Sequence, residues 1–235
     1  CMTADGIGNK YNGYGKICET LKDKNEVDCN MNLYMMSKYE PSHIEQHRLI
    51  GNMKYTTSVM YAIFNKLVIV NCHLQSNYMS TDKSIKTKWF HYARCRLEQL
   101  RSIQNSLIQF MPRFVMMCGN FNINMDGSLD EWPELKGLHE FNGIDCWRHF
   151  YANDFGYTED TEINPTRWES KPPYKQFRYD GIFLKKSNAI NDRMTIVDIK
   201  LVGSEGYIWK SVNKQSNGNI IYFPSDRFGV MGSFS

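Results

Sequence analysis

Val115-Met116-Met117-Cys118-Gly119-Asn120-Phe121-Asn122-Ile123-Asn124 sets the fold of this chain. Four apolar residues run unbroken to a glycine and then give way to side-chain amides. That order predicts a buried strand that delivers polar groups to a site at its tip. Gly119 lets the backbone come close to whatever sits there.

Working outward, Ile85, Trp89, Tyr92, Leu97, Leu100, Ile103, Leu107 and Phe110 recur mostly at three- and four-residue steps. They predict one long amphipathic helix over 84–111, stopped by Pro112. Before it, 59–64 and 67–74 are apolar, β-rich runs joined through Asn65-Lys66, a hairpin signal. Further strands are expected at 31–36 and, within the Gly-, Asn- and Lys-rich opening, at 14–18. After the central strand, Trp132, Leu135, Leu138 and Phe141 suggest a shorter helix, and Gly143 to Trp147 lead into a polar loop. Strands over 177–184 and 194–202 follow.

With 235 residues, 42% of them hydrophobic, the chain suits one domain over 1–235 with a sizeable core. Twenty-eight Lys and Arg against 25 Asp and Glu leave +3, too balanced to argue for nucleic acid alone. Seven cysteines (1, 18, 29, 72, 95, 118, 146) form no C-x-x-C pair, and two lie inside apolar runs. Reduced, buried thiols in an intracellular setting, cytoplasmic or nuclear, are therefore expected. No apolar run approaches the ~18 residues of a membrane span, and no signal-peptide pattern is visible. The five tryptophans are read as core or rim residues rather than stacking platforms for bases.

His73-Leu74, Gly119-Asn120-Phe121-Asn122, Arg178-Tyr179-Asp180 and Ser225-Asp226-Arg227-Phe228-Gly229 each sit at or just past the end of an apolar run. Four polar clusters at strand ends would converge on one rim. In this order they resemble the motifs of the endonuclease/exonuclease/phosphatase superfamily, where the stretches read His-Leu, Gly-Asp-x-Asn, Arg-(hydrophobic)-Asp and Ser-Asp-His. The branch most similar is that of the 5′-tyrosyl-DNA phosphodiesterases, through Phe223 to Gly229 and Asp145-Cys146-Trp147. The resemblance implies an α/β (α+β) fold, a DNase I-like, four-layer αββα sandwich of two mostly antiparallel sheets. It also implies Mg²⁺ or Mn²⁺ as cofactor and a phosphodiester or phosphate ligand, nucleic acid or protein-linked nucleotide.

Carried over residue by residue, the resemblance makes Asn122 the phosphate-positioning asparagine and His73 a phosphate contact. Asp180 becomes a buried aspartate on the strand floor, and Asp226 the metal-side or histidine-partner aspartate. Two positions depart from the pattern. Asn120 stands where the family has aspartate, and an amide neither accepts a proton nor lends charge to a metal. Arg227 stands where it has histidine, and a guanidinium is neither acid nor base at working pH. Arg227 is expected to pair with its neighbour Asp226.

No Gln-Glu pair occurs in the chain; Glu19 is the candidate early metal ligand. The reading otherwise expects the first strand and the Glu-bearing segment to lie before Cys1. Three functions stand after this: an impaired phosphodiesterase fold with a phosphate-binding, partner-binding or structural role; an active metal-dependent phosphodiesterase inactivated by substitution; and a phosphatase on lipid or nucleotide phosphates. A protein assembly partner fits the first.

Overall fold

The computed structural model describes residues 33, 35, 37–50, 57–76, 85–111, 113–164, 166, 174–186, 194–210, 219–223 and 225–235. The strand expected at 14–18, candidate ligand Glu19 and most of the strand expected at 31–36 lie outside these residues. The first five strands in chain order are β1 (His43–Arg48), β2 (Ser58–Ile63), β3 (Leu67–His73), β4 (Phe114–Asn120) and β5 (Ile144–Asp145). They are followed by β6 (Glu159–Asp160), β7 (Gln176–Phe177), β8 (Asp180–Lys185) and β9 (Ile196–Val202). The last three are β10 (Tyr207–Lys210), β11 (Asn219–Tyr222) and β12 (Gly229–Phe234). Among the described residues the α-helices are α1 (Ile85–Leu107), α2 (Leu135–Phe141) and α3 (Cys146–Phe150).

A six-stranded sheet runs β1-β2-β3-β4-β8-β5. Its neighbours are antiparallel except β3 and β4, which are parallel and joined through α1. That one parallel step is why the longest helix sits between two strands: a parallel return needs a crossover, and an amphipathic helix covers the sheet while making it. Leu100, Ile103 and Leu107, at spacings of three and four, bury against Val68, Val70, Val115 and Met117. Each such side chain contributes about 1.5–3 kcal/mol. The helix ends in a 3₁₀ turn at Ile108–Phe110, and Met111 is extended (φ −66, ψ 142), the conformation a following proline imposes.

On the other face, β9 and β12 pair as a second sheet, and Ile199, Ile196, Leu201, Val230 and Phe234 pack with Leu184 and Ile182 of β8 and with Cys146 and Trp147 of α3. Helices, mixed sheet and second sheet are thus stacked as the α/β sandwich requires. Trp132 and Trp147 are core residues, as expected.

Three elements differ from expectation. The strand expected over 177–184 is two, β7 and β8, broken at Arg178 and Tyr179. Arg178 is turned inward, and the amides of Tyr179 and Asp180 donate to Thr158 Oγ1 at 3.0 and 3.1 Å instead of to a strand. Residues 146–150 form α3 rather than loop, because Asp145 caps them by accepting from the amides of Trp147 (3.0 Å) and Arg148 (3.3 Å). The buried face of α1 also carries Arg96 and Gln99, both 0% exposed, which break the apolar pattern. Arg96 forms a buried ion pair with Glu134 and donates to Gln75 O at 3.0 Å.

Candidate active site

β3, β4 and β8 are in register at their ends. His73 stands opposite Asn120, and Asn120 opposite Asp180, so one cross-strand row carries three of the expected site residues. Gly119 brings β4 into this register. Its φ is +130, and an added Cβ would lie 2.0 Å from Cys72 O, so the close approach it permits is to the neighbouring strand.

Beyond the row the chain turns through Asn122 in the left-handed region (φ 52), which asparagine tolerates. The turn is held by side chains. Asn122 N–H donates to Asn120 Oδ1 at 2.9 Å, and Asn122 Nδ2 donates to Leu74 O at 2.8 Å. Leu74 N–H reaches Asn120 O at 2.9 Å, tying the loop after His73 to the tip of β4.

Arg227 enters this cluster from the loop before β12. Its guanidinium lies 3.3 Å from Asp180 Oδ2 and 3.2 Å from Glu159 Oε2, and it donates to Asn120 Oδ1 at 3.3 Å and Asn122 Oδ1 at 3.5 Å. The Tyr179 ring lies beneath it at 4.8 Å. The pairing expected with Asp226 is therefore corrected: the ion pairs of Arg227 run to Asp180 and Glu159, while Asp226 accepts from the Ser225 hydroxyl at 3.3 Å. Glu159 is buried and Asp180, expected as a buried aspartate, is half-buried; both reach the guanidinium from across the tip.

Glu159 (1% exposed), Thr158 (0%) and Asn164 (1%) are site residues that the sequence did not disclose. Thr158 O accepts from Phe228 N–H at 2.8 Å, and Asn164 Nδ2 donates to Ser225 O at 2.8 Å, so this segment fixes the loop carrying Arg227. They belong to a polar stretch without period, and its one cue was the density of hydrogen-bonding side chains from Thr158 to Thr161.

Electrostatics follow from burial and from Arg227. Burial lifts the Asp180 carboxyl above the usual aspartate range, against the opposing pull of Arg227 and Thr158. Burial, and then the charge of Arg227, hold His73 below 6.5, against the pull of Asp180, so His73 is neutral at pH 7. A histidine with a depressed folded pKa leaves the unfolded chain binding more protons below 6.5. Stability from this group is full above 6.5 and is lost as pH falls toward the folded value. Parent stability minus that of His73→Gln, from urea midpoints between about pH 7.5 and about pH 5.5, should therefore decrease toward acid; a pH-independent difference would contradict this placement of His73.

The described residues of this tip do not fit a divalent ion. Among the described residues no group of three or more His, Cys, Asp or Glu could hold a metal. Mg²⁺ seeks carboxylate oxygens in octahedral array, yet Asp180 and Glu159 face a guanidinium, and Asn120 has an amide where a carboxylate would serve. Among the described residues Cys72, Cys95 and Cys146 are buried thiols and Cys118 is half-buried; desolvation pushes Cys118 up to about 11 and Cys146 up to about 12.

A sandwich of a mixed sheet against a second sheet, with polar side chains gathered at the strand ends, is the DNase I-like architecture. Solved structures place the chain in that fold. D. rerio TDP2 complexed with a single-strand DNA product is similar over 83% of this chain and 68% of that one, at 17% identity and a TM-score of 0.56. Sphingomyelinase C from Streptomyces griseocarneus matches over 84% of this chain and 66% of its own, at 18% identity and a TM-score of 0.54. A beta toxin from Staphylococcus aureus does so over 84% and 66%, at 19% identity and a TM-score of 0.56. No family model matches the chain, and no curated protein matches its sequence. The likeness is one of fold.

Proposed function

We propose that this chain is a DNase I-like domain that has lost phosphodiester hydrolysis and acts by binding a ligand or partner at the tip of its mixed sheet. The observation that carries the reading is Arg227, whose guanidinium lies between Asp180 and Glu159 and against the amides of Asn120 and Asn122. A reaction at this tip needs a group that takes a proton and one that returns it. Asn120 does the first at no useful pH, and Arg227 does not release its proton. Loss of one general acid or base costs ~10²–10⁴ in rate, and two losses in one cooperating unit need not multiply.

The same arrangement supports binding. Asp180, Asn120, Asn122 and Arg227 form a fixed set of donors and acceptors, held by buried hydrogen bonds to Leu74 and Thr158. A single-stranded nucleic acid or a protein-linked nucleotide is the first ligand to try, because a similar structure contains a DNA product. An intracellular setting is inferred from the buried thiols. The test is hydrolysis by the whole chain with Mg²⁺ or Mn²⁺ on a 5′-phosphotyrosyl oligonucleotide, sphingomyelin and bis(4-nitrophenyl) phosphate. No product above the metal-only blank is expected; sustained turnover of any of the three would overturn the reading.

A further inference from the structure

A cavity of about 470 Å³ lies beneath the tip, between the mixed sheet and the start of β12. That volume is within the range of small-molecule sites. Alternate residues of a strand share a face, so the register grades its long wall. Asn120 and Asp180 stand opposite each other at the outer end, and Ile182 and Ile69 lie further in on the same face. Phe228 and Val230 also line the cavity, so its inner part is apolar.

Charge at the outer end is already matched. Among the described lining residues Asp180 is the one charged group, and it lies 3.3 Å from the guanidinium of Arg227. At His73, in the same row, the charge of Arg227 outweighs that of Asp180. A cationic head would therefore compete with Arg227 for a paired carboxylate, and an anionic head would meet Asp180 itself. Either would leave water without a free counter-charge, which is costly. A neutral head avoids both.

Asn120 defines what that head must carry. Its Oδ1 accepts from Asn122 N–H at 2.9 Å and from Arg227 Nη1 at 3.3 Å, which uses both lone pairs and sets the nitrogen on the other side of the amide. Among the described residues this Nδ2 meets no acceptor, so its N–H groups are left for a ligand. Opposite it, Asp180 accepts from Arg227 and from Thr158, short of the about four bonds that a carboxylate can take. A donor and an acceptor side by side on neighbouring strands complement a carboxamide, whose carbonyl accepts and whose N–H donates.

We propose that this cavity binds a neutral carboxamide, with its carbonyl oxygen on Asn120 Nδ2, its N–H on Asp180 and its apolar body on Ile69, Ile182, Phe228 and Val230. The proposal rests on the binding reading above, whose ligand class it names, and does not depend on the loss of hydrolysis.

Titration calorimetry on the full chain near pH 7, with hexanamide, N,N-dimethylhexanamide, hexylamine and hexanoate, changes the head while the apolar chain stays the same. Hexanamide should bind at least ~10-fold tighter than the amine or the carboxylate, which arrive charged. It should bind at least ~5-fold tighter than the dimethyl amide, which keeps the carbonyl but has no N–H for Asp180. Acetamide, with the head and almost no chain, should bind at least ~10-fold more weakly than hexanamide. Asn120→Asp keeps the side-chain shape but replaces the Nδ2 donor with an acceptor, and should weaken hexanamide at least ~10-fold. Any of four results would overturn the proposal: a charged probe bound as tightly as hexanamide, the dimethyl amide or acetamide bound as tightly, hexanamide affinity unchanged in Asn120→Asp, or no heat with hexanamide in the parent. Phosphodiester turnover assayed on the same samples would count against the functional reading while leaving the carboxamide preference intact, so the two failures are distinguishable.

Discussion

Gly119→Ala is expected to cost at least ~3 kcal/mol and to take the tip apart. An added Cβ would stand 2.0 Å from Cys72 O, 2.8 Å from Cys72 N and 3.0 Å from Asn71 Oδ1. Two of these contacts are backbone atoms of β3, which cannot rotate away. The φ of +130 adds strain for any side chain. Relief requires β4 to move off β3, and the row of His73, Asn120 and Asp180 separates with it. Urea denaturation should show a large fall in midpoint at unchanged slope; a loss under ~1 kcal/mol would mean that the strands do not approach this closely.

Arg178→Leu is expected to be nearly as damaging, at ~3–5 kcal/mol. Arg178 is 1% exposed and forks onto two carboxylates. It donates to Asp126 Oδ2 and Oδ1 at 3.0 and 2.8 Å, and to Asp145 Oδ1 and Oδ2 at 3.0 and 2.7 Å. Removing it leaves the Asp126 carboxylate, 4% exposed, with Arg148 as the one remaining ion-pair partner shown for it. It also loosens Asp145, the cap of α3. Against total stabilities of ~5–15 kcal/mol, such a loss is a large fraction. Arg178→Lys keeps the charge but not the fork and should recover only part of it. Thermal and urea unfolding of both variants checks this; equal stability of Arg178→Leu and parent would contradict a structural role for the network.

How much was legible in the sequence depended on whether a residue acts through a pattern or through a distant partner. The β2–β3 hairpin, α1, β4 and β9 were legible because burial on one or both faces imposes a period on consecutive residues. His73, Asn120 and Asp180 were legible as neighbours because each lies at the end of an apolar run, and the register brings those ends together, whereas Arg227 reaches them from the loop before β12. Glu159 was not, since its role comes from Arg227, 68 positions away, in a segment without apolar periodicity. Arg178 was visible as part of a motif, but its partners Asp126 and Asp145 converge only after β4 and α3 have turned. Arg96 and Gln99 look like solvent positions in the helix, yet loops from β3 and α2 fold over them.

Comparison of the parent with Asn120→Asp/Arg227→His tests the central claim most directly, by product release from a 5′-phosphotyrosyl oligonucleotide with Mg²⁺ under single-turnover conditions. Replacing the guanidinium frees Asp180 and Glu159 from a fixed cation and restores a proton acceptor beside a titratable imidazole. The account predicts a parent at the level of the metal-only blank and a double variant at least ~10²-fold above it, the scale of one recovered acid–base group. A parent that releases product as fast as the double variant would contradict it.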